Sequence, residues 1–213
     1  MGLLLCDLDD TILSRRENFW VWASAYVTGH ALAAREIDWI VELDQDGYRP
    51  RDEFFTILSQ RHDLGYSAQE ITERYFADFL SALETIDALA RARRAGFKVA
   101  IVTNGAQRAQ EAKVSSAGLA ELVDAVCISE VVGYAKPHRE IFEVAAERCA
   151  ASLKGAWMVG DNPLSDMEGA RSCEAKTVWL PNGRTWPSEL EFRPDLEAGS
   201  FAGAVDLVLS SER

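Results

Sequence analysis

A chain of 213 residues with 34 acidic and 22 basic side chains carries a formal net charge of −12. The length suffices for one sizeable core with a smaller attached module, and the charge, with a pI near 4.7, argues against nucleic acid or an anionic membrane surface as a partner. No apolar segment is long enough to span a bilayer, and the N-terminal run lacks the length and basic flank of a secretion signal, so a cytoplasmic protein is expected.

The apolar run Gly2–Cys6 reads as a buried strand and leads into Asp7-Leu8-Asp9-Asp10-Thr11. Side chains at i and i+2 of a strand share a face, so Asp7 and Asp9 should project together unless the chain has already turned. Two such carboxylates repel, more so when buried, and a divalent cation is the expected remedy. Helical spacing follows over 16–34 and 35–43, then a polar loop over 44–50 containing Tyr48 and Arg49, then helices over 52–61 and 68–83. About seventy residues thus pass without a strand, which predicts a helical module, 15–84, inserted after the first strand.

From residue 85 helices and strands alternate. Helix 86–94 ends at Gly96, and strand 98–103, a turn at Asn104-Gly105 and a helix to about 117 follow. Then come strand 125–129, helix 139–150, strand 156–160, helix 163–173 and strand 177–180. Residues 181–193 read as loop, and a short helix closes the chain over 201–209. Alternation with short Val- and Ile-rich strands predicts an α/β fold with a doubly wound parallel sheet, formed by 1–14 and 85–213. The four cysteines (Cys6, Cys127, Cys149 and Cys173) have no metal-ligand spacing, so buried reduced thiols are expected.

In such sheets ligands bind beyond the carboxyl ends of the strands. Asp7 and Asp9, then Thr103-Asn104-Gly105, then Lys136-Pro137, then Gly160-Asp161 with Asp166 all fall there. Asp7, the backbone carbonyl of Asp9 and Asp161 are hard oxygen donors suited to Mg²⁺. Asn162-Pro163 reads as an N-cap and first helical residue, which puts Asp166 in the first turn, near the metal or its waters. Thr103, the amides of Asn104 and Gly105, and Lys136 would hold phosphate oxygens. Asp7 could then attack phosphorus while Asp9 serves as acid and later as base.

DxDxT (Asp7–Thr11), the strand-end Thr103, Lys136-Pro137 and GDxxxxD (Gly160–Asp166) resemble the four motifs of haloacid dehalogenase-superfamily hydrolases, in the same order. The resemblance implies a Rossmann-like core with an inserted helical cap, of the type inserted between the first two motifs. It also implies a Mg²⁺-dependent phosphatase working through an aspartyl-phosphate on Asp7 and acting on a small phosphorylated metabolite. The loop carrying Tyr48, Arg49 and Arg51 would then read the leaving group. Ser165 stands where relatives often carry Asn. A 2-haloacid dehalogenase would need neither Asp9 nor a metal; a phosphomutase, or a non-catalytic binding protein, are further alternatives. Asp10 is expected to serve the turn, Thr11 to bond the loop backbone, and Trp20, Trp22 and Trp39 to pack the inserted helices. His30, His62 and His138 lack ligand spacing. Nothing in the sequence reads out the oligomeric state.

Overall fold

A computed structural model describes residues 2–47, 49–63, 65–77 and 83–212. Tyr48 and the 78–82 part of the helix expected over 68–83 lie outside the described residues. In chain order, β1 (Leu3–Cys6) precedes α1 (Arg15–Gly29), α2 (Glu36–Asp44), a 3-10 turn (Gln45–Gly47), α3 (Arg51–His62) and α4 (Ala68–Ala77). Then follow α5 (Leu83–Arg94), β2 (Lys98–Thr103), α6 (Gln107–Ser116), a 3-10 turn (Ala120–Leu122), β3 (Ala125–Ile128), α7 (Ser129–Val132) and α8 (Arg139–Arg148). Last come β4 (Trp157–Gly160), a π-helical turn (Pro163–Glu168), α9 (Gly169–Ser172), β5 (Lys176–Trp179), β6 (Leu196–Glu197) and α10 (Phe201–Ser211).

The strands form one parallel sheet in the order β3-β2-β1-β4-β5-β6. Both faces of the sheet are covered, which explains why β1 and β4 and the middle of β2 are apolar. Leu3 and Leu5 of β1, Ala100 and Val102 of β2, and Met158 of β4 join a core with Ile141, Phe142 and Ala145 of α8. The opposite face is covered by α5 and α10, which pack on each other and reach β2 and β4. Crossovers run one way from β1 toward β3 and the other way from β4 toward β6, so the switch point lies between β1 and β4. The β1 ladder extends one bond further, Asp7 N donating to Val159 O at 2.9 Å.

By contact the chain divides into two compact units, Met1–Leu13 with Ser81–Arg213, and Ser14–Leu80. The second unit is built of α1 to α4 around an aromatic cluster in which Trp22 meets Phe19, Tyr26, Phe54, Phe55 and Tyr75 at centroid distances of 5.1–6.2 Å. Trp20, one residue away on α1, is 57% exposed. Asp44 is buried at the end of α2 and accepts from Arg15 Nη1 at 3.2 Å and Arg51 Nη1 at 2.5 Å.

Several elements differ from the sequence expectation. α1 stops at Gly29 rather than 34, because Ala31 takes φ 54° and the chain reverses before Glu36. The helix expected over 163–173 begins as a π-turn, with Met167 N as well as Asp166 N directed at Asn162 O. The segment after β5 contains a sixth strand, too short to show as an apolar run. Among the described residues no helix is long and apolar enough to cross a membrane.

Candidate active site

The sheet delivers Asp7 and Asp161 side by side because β1 and β4 are neighbours at the switch point. Asp166 reaches the same place through the π-turn. Asn162 caps that turn as expected, its Oδ1 accepting from Leu164 N and Ser165 N at 3.0 Å. The wider turn carries the Asp166 carboxylate back over the strand end, where Oδ2 accepts from Asn162 N at 3.0 Å. A Cβ on Gly160 would lie 2.4 Å from that oxygen, so glycine is the residue the strand end admits. One oxygen each of Asp7, Asp161 and Asp166 lie within 4.8 Å of one another, all three residues being buried.

Lys136 enters from the loop before α8. Its ammonium donates to Asp7 Oδ1 and Asp166 Oδ1, both at 2.6 Å, with the side chain 2% exposed. The loop is tied to the end of β2 by a reciprocal pair: Asn104 Nδ2 donates to Lys136 O at 2.9 Å, and Lys136 N donates to Asn104 Oδ1 at 2.8 Å. Burial works against the lysine's charge, yet Asp166 and Asp7 outweigh it and its pKa lies above the ordinary value. Burial also pushes the Asp7 carboxyl well above the carboxylate range; Lys136 opposes the rise, and Asp166 and Asp161 reinforce it. Asp161 is pushed up to about 6 by burial and by Asp166, against the pull of Arg184.

The cluster gathers three buried carboxyls, and Lys136 pairs with two of them. Lys136 does not neutralise the cluster, because two of its carboxyls still resist ionisation. The donors are all oxygens, as a hard divalent ion such as Mg²⁺ requires. The residues present fit the group.

Asp9 departs from the expectation. β1 ends at Cys6, and the chain turns over 7–13: Asp10 N donates to Leu13 O at 2.7 Å and Leu13 N to Leu8 O at 2.9 Å. Asp10 sits in this turn at φ 56°, a conformation Asp tolerates. The i and i+2 rule of a strand no longer applies, and Asp9 finds its own partners. Lys113 Nζ lies 2.8 Å from both its oxygens, and Gln110 Nε2 donates to Oδ2 at 3.0 Å. Three further groups find partners within the protein. The Gly105 N–H, expected to face a phosphate, donates to Ser129 Oγ at 3.0 Å. Thr103 Oγ1, buried at the end of β2, accepts from Gln110 Nε2 at 2.6 Å. Thr11 Oγ1 points to Asp7 Oδ2 at 3.5 Å rather than to the loop backbone.

Sequence reasoning missed Gln110, Lys113 and Arg184. The first two hold inward positions on α6 one turn apart, buried although polar, and nothing in the surrounding sequence marks that burial. Arg184 lies in the segment read as loop and donates to Asp161 Oδ2 at 2.5 Å and to Asp161 O at 3.1 Å. Arg49 and Arg51, expected to read a leaving group, have partners within the helical unit. Arg49 donates to Leu43 O at 2.6 Å and pairs with Glu53, while Arg51 pairs with Asp44 and lies over the Phe19, Phe54 and Tyr75 rings.

Comparison with known proteins gives a consistent picture. Residues 1–174 match a family model described as haloacid dehalogenase-like hydrolase. A phosphoserine phosphatase of Thermus thermophilus is 37% identical over 137 residues, covering 63% of this chain and 55% of that protein. A glyceraldehyde 3-phosphate phosphatase of Pyrococcus furiosus is 33% identical over 149 residues, covering 65% and 61%. The chain therefore spans little more than half the length of these curated relatives. The structure of a HAD-hydrolase of Bacillus subtilis, YfnB, bound to magnesium superposes with a TM-score of 0.71 at 22% identity, covering 97% of this chain and 98% of that one, a likeness of fold. With four motifs in register on this sheet and a model matching most of its length, the chain belongs to the haloacid dehalogenase-like hydrolases.

Proposed function

We propose that the protein is a Mg²⁺-dependent phosphatase that hydrolyses a small phosphorylated metabolite through an aspartyl-phosphate on Asp7. The observation that carries this reading is the buried Asp7–Asp161–Asp166 cluster with Lys136 between two of its members. Asp7, Asp161 and the Asp9 carbonyl, with Asp166 alongside, would hold the ion, which when bound supplies positive charge to the phosphoryl oxygens.

Asp7 attacks phosphorus, and the bond from phosphorus to the ester oxygen breaks. The departing oxygen takes a proton from the Asp9 carboxyl, releasing the alcohol. Water then attacks the phosphorus of the acyl phosphate and gives a proton to the Asp9 carboxylate. The bond to the Asp7 oxygen breaks, leaving inorganic phosphate and the original carboxylate. Lys136 holds Asp7 in orientation and offsets charge on the phosphoryl group, and Thr103 donates its hydroxyl hydrogen to a phosphate oxygen. The relatives, a phosphoserine phosphatase and a glyceraldehyde 3-phosphate phosphatase, support a small phosphomonoester. Asp9 is what favours a phosphatase over a 2-haloacid dehalogenase, since halide departure requires no proton.

The helical unit would act as a cap that excludes water and selects the leaving group, with Arg49 and Arg51 as candidate contacts. A screen of phosphorylated metabolites followed by Arg49→Ala and Arg51→Ala on the best substrate tests that role. For the chemistry, Asp7→Asn should abolish hydrolysis of p-nitrophenyl phosphate while leaving the circular dichroism spectrum intact. EDTA should do the same to the wild type. Turnover surviving either treatment defeats the mechanism.

A further inference from the structure

We propose that Gln110 and Lys113 are positioning residues for proton transfer, setting Asp9 and Thr103 from one face of α6. The inference rests on the phosphatase reading and assigns it two side chains outside the four motifs.

The geometry is specific. Gln110 and Lys113 are one helical turn apart, so their side chains rise from the same face. Both are buried, at 2% and 7% exposure. The Lys113 ammonium bridges both oxygens of Asp9, and the Gln110 amide spans from Asp9 Oδ2 to Thr103 Oγ1. An amide nitrogen has two hydrogens, and here they tie the acid/base carboxylate to the strand-end hydroxyl. The contact leaves Gln110 little freedom: a Cβ on Gly105 would meet its side chain at 3.1 Å.

Two consequences follow from donor and acceptor counting. A hydroxyl that accepts from Gln110 keeps its single hydrogen for another partner. Thr103 is thereby set as a donor, which is what a phosphate oxygen requires. Asp9 receives Lys113 Nζ at both oxygens, which fixes the plane of its carboxyl group. Lys113 and Gln110 together therefore hold Asp9 in one orientation for both proton transfers.

The test compares leaving groups. p-Nitrophenolate departs without protonation, whereas an alkoxide does not. Lys113→Met and Gln110→Met should each lower kcat/KM for an alkyl phosphate such as ethyl phosphate at least tenfold more than kcat/KM for p-nitrophenyl phosphate, within the ~10²–10⁴-fold range of general acid–base catalysis. KM should change little for Lys113→Met, while Gln110→Met should also raise KM through the loss of Thr103 orientation. Gln110→Glu, which keeps the shape but replaces the donor with a charge facing Asp9, should be at least as impaired as Gln110→Met. Equal losses on both esters would show a merely structural role and overturn the proposal, as would a Lys113→Met enzyme with wild-type selectivity. If Lys113→Met does not fold, the Gln110 pair carries the comparison alone. A wild-type enzyme inert toward both esters defeats the phosphatase reading itself, and this proposal with it, before any variant is made.

Discussion

Gly160 illustrates how a single side chain can be excluded by the site it supports. The Asp166 carboxylate occupies the volume into which a Cβ would project, at 2.4–2.6 Å from three of its atoms. Asp166 is fully buried and bonded to both Lys136 and the Asn162 amide, so it cannot move aside without breaking one of them. Gly160→Ala should therefore destabilise the protein by ~1–3 kcal/mol, the usual cost of overpacking, read as a lower urea midpoint, and should weaken Mg²⁺ binding measured by calorimetry. Unchanged stability and affinity would mean that Asp166 is free to move. Asp7 and Asp161 were legible in the sequence because each is a charged residue just beyond an apolar strand, and Asp166 and Lys136 from their place in the motif series. Gln110, Lys113 and Arg184 were not. Their partners lie 101, 104 and 23 residues away, and a polar residue on a polar helix gives no local sign of pointing inward.

At the scale of elements, the helical unit shows how charge is accommodated in an aromatic core. Asp44 ends α2 and accepts two guanidinium groups, one of them lying over three rings. Removing one partner of a buried ionic group costs about 3–5 kcal/mol. Asp44→Ala should fall near the lower end, since Arg15 and Arg51 keep some exposure to water, and thermal unfolding followed by near-UV circular dichroism should register the loss. Phe19 and Trp22 of α1 were readable from their spacing, whereas Trp20, expected to pack beside them, is 57% exposed. The π-turn and β6 were not: the turn depends on how Asp166 and Asn162 meet, and a two-residue strand is defined by its neighbour rather than by its own sequence. The early end of α1 was equally hidden, because Ala31 at φ 54° carries no compositional sign of a turn.

At the scale of the molecule, the acidic cluster links stability to pH. Asp161 titrates near 6 in the folded state, above its ordinary range because of burial and Asp166. A carboxyl with a raised folded pKa binds more protons folded than unfolded between about pH 4 and 6. Its stabilising contribution is complete below pH 4 and lost as pH rises through 6, amounting to ~3 kcal/mol. The metal-free protein should lose this increment over that interval, and Asp161→Asn should remove it while leaving the loss of the same sign that Asp7, also raised by burial, contributes. On the proposed reading added Mg²⁺ would bind the ionised cluster, so its effect on Tm should be small at pH 5 and larger at pH 7.5. Scanning fluorimetry with and without Mg²⁺ checks both signs; a Mg²⁺ effect that shrinks with rising pH would contradict the cluster's assignment as a cation site. The alternation of strand and helix made the parallel sheet readable in advance. The strand order was not, since the same alternation permits several orders, and the order is what brings Asp7 beside Asp161.

The carbonyl of Asp161 accepts a buried hydrogen bond from the Trp179 indole at 2.8 Å, and Trp186 stands edge-on to that indole with centroids 5.0 Å apart. The emission of a tryptophan depends on the field along its ring, and here the nearest polar partner is the backbone of a cluster carboxylate. Trp179 thus stands one hydrogen bond from the acidic cluster, and a change in charge at Asp161 should register in its emission.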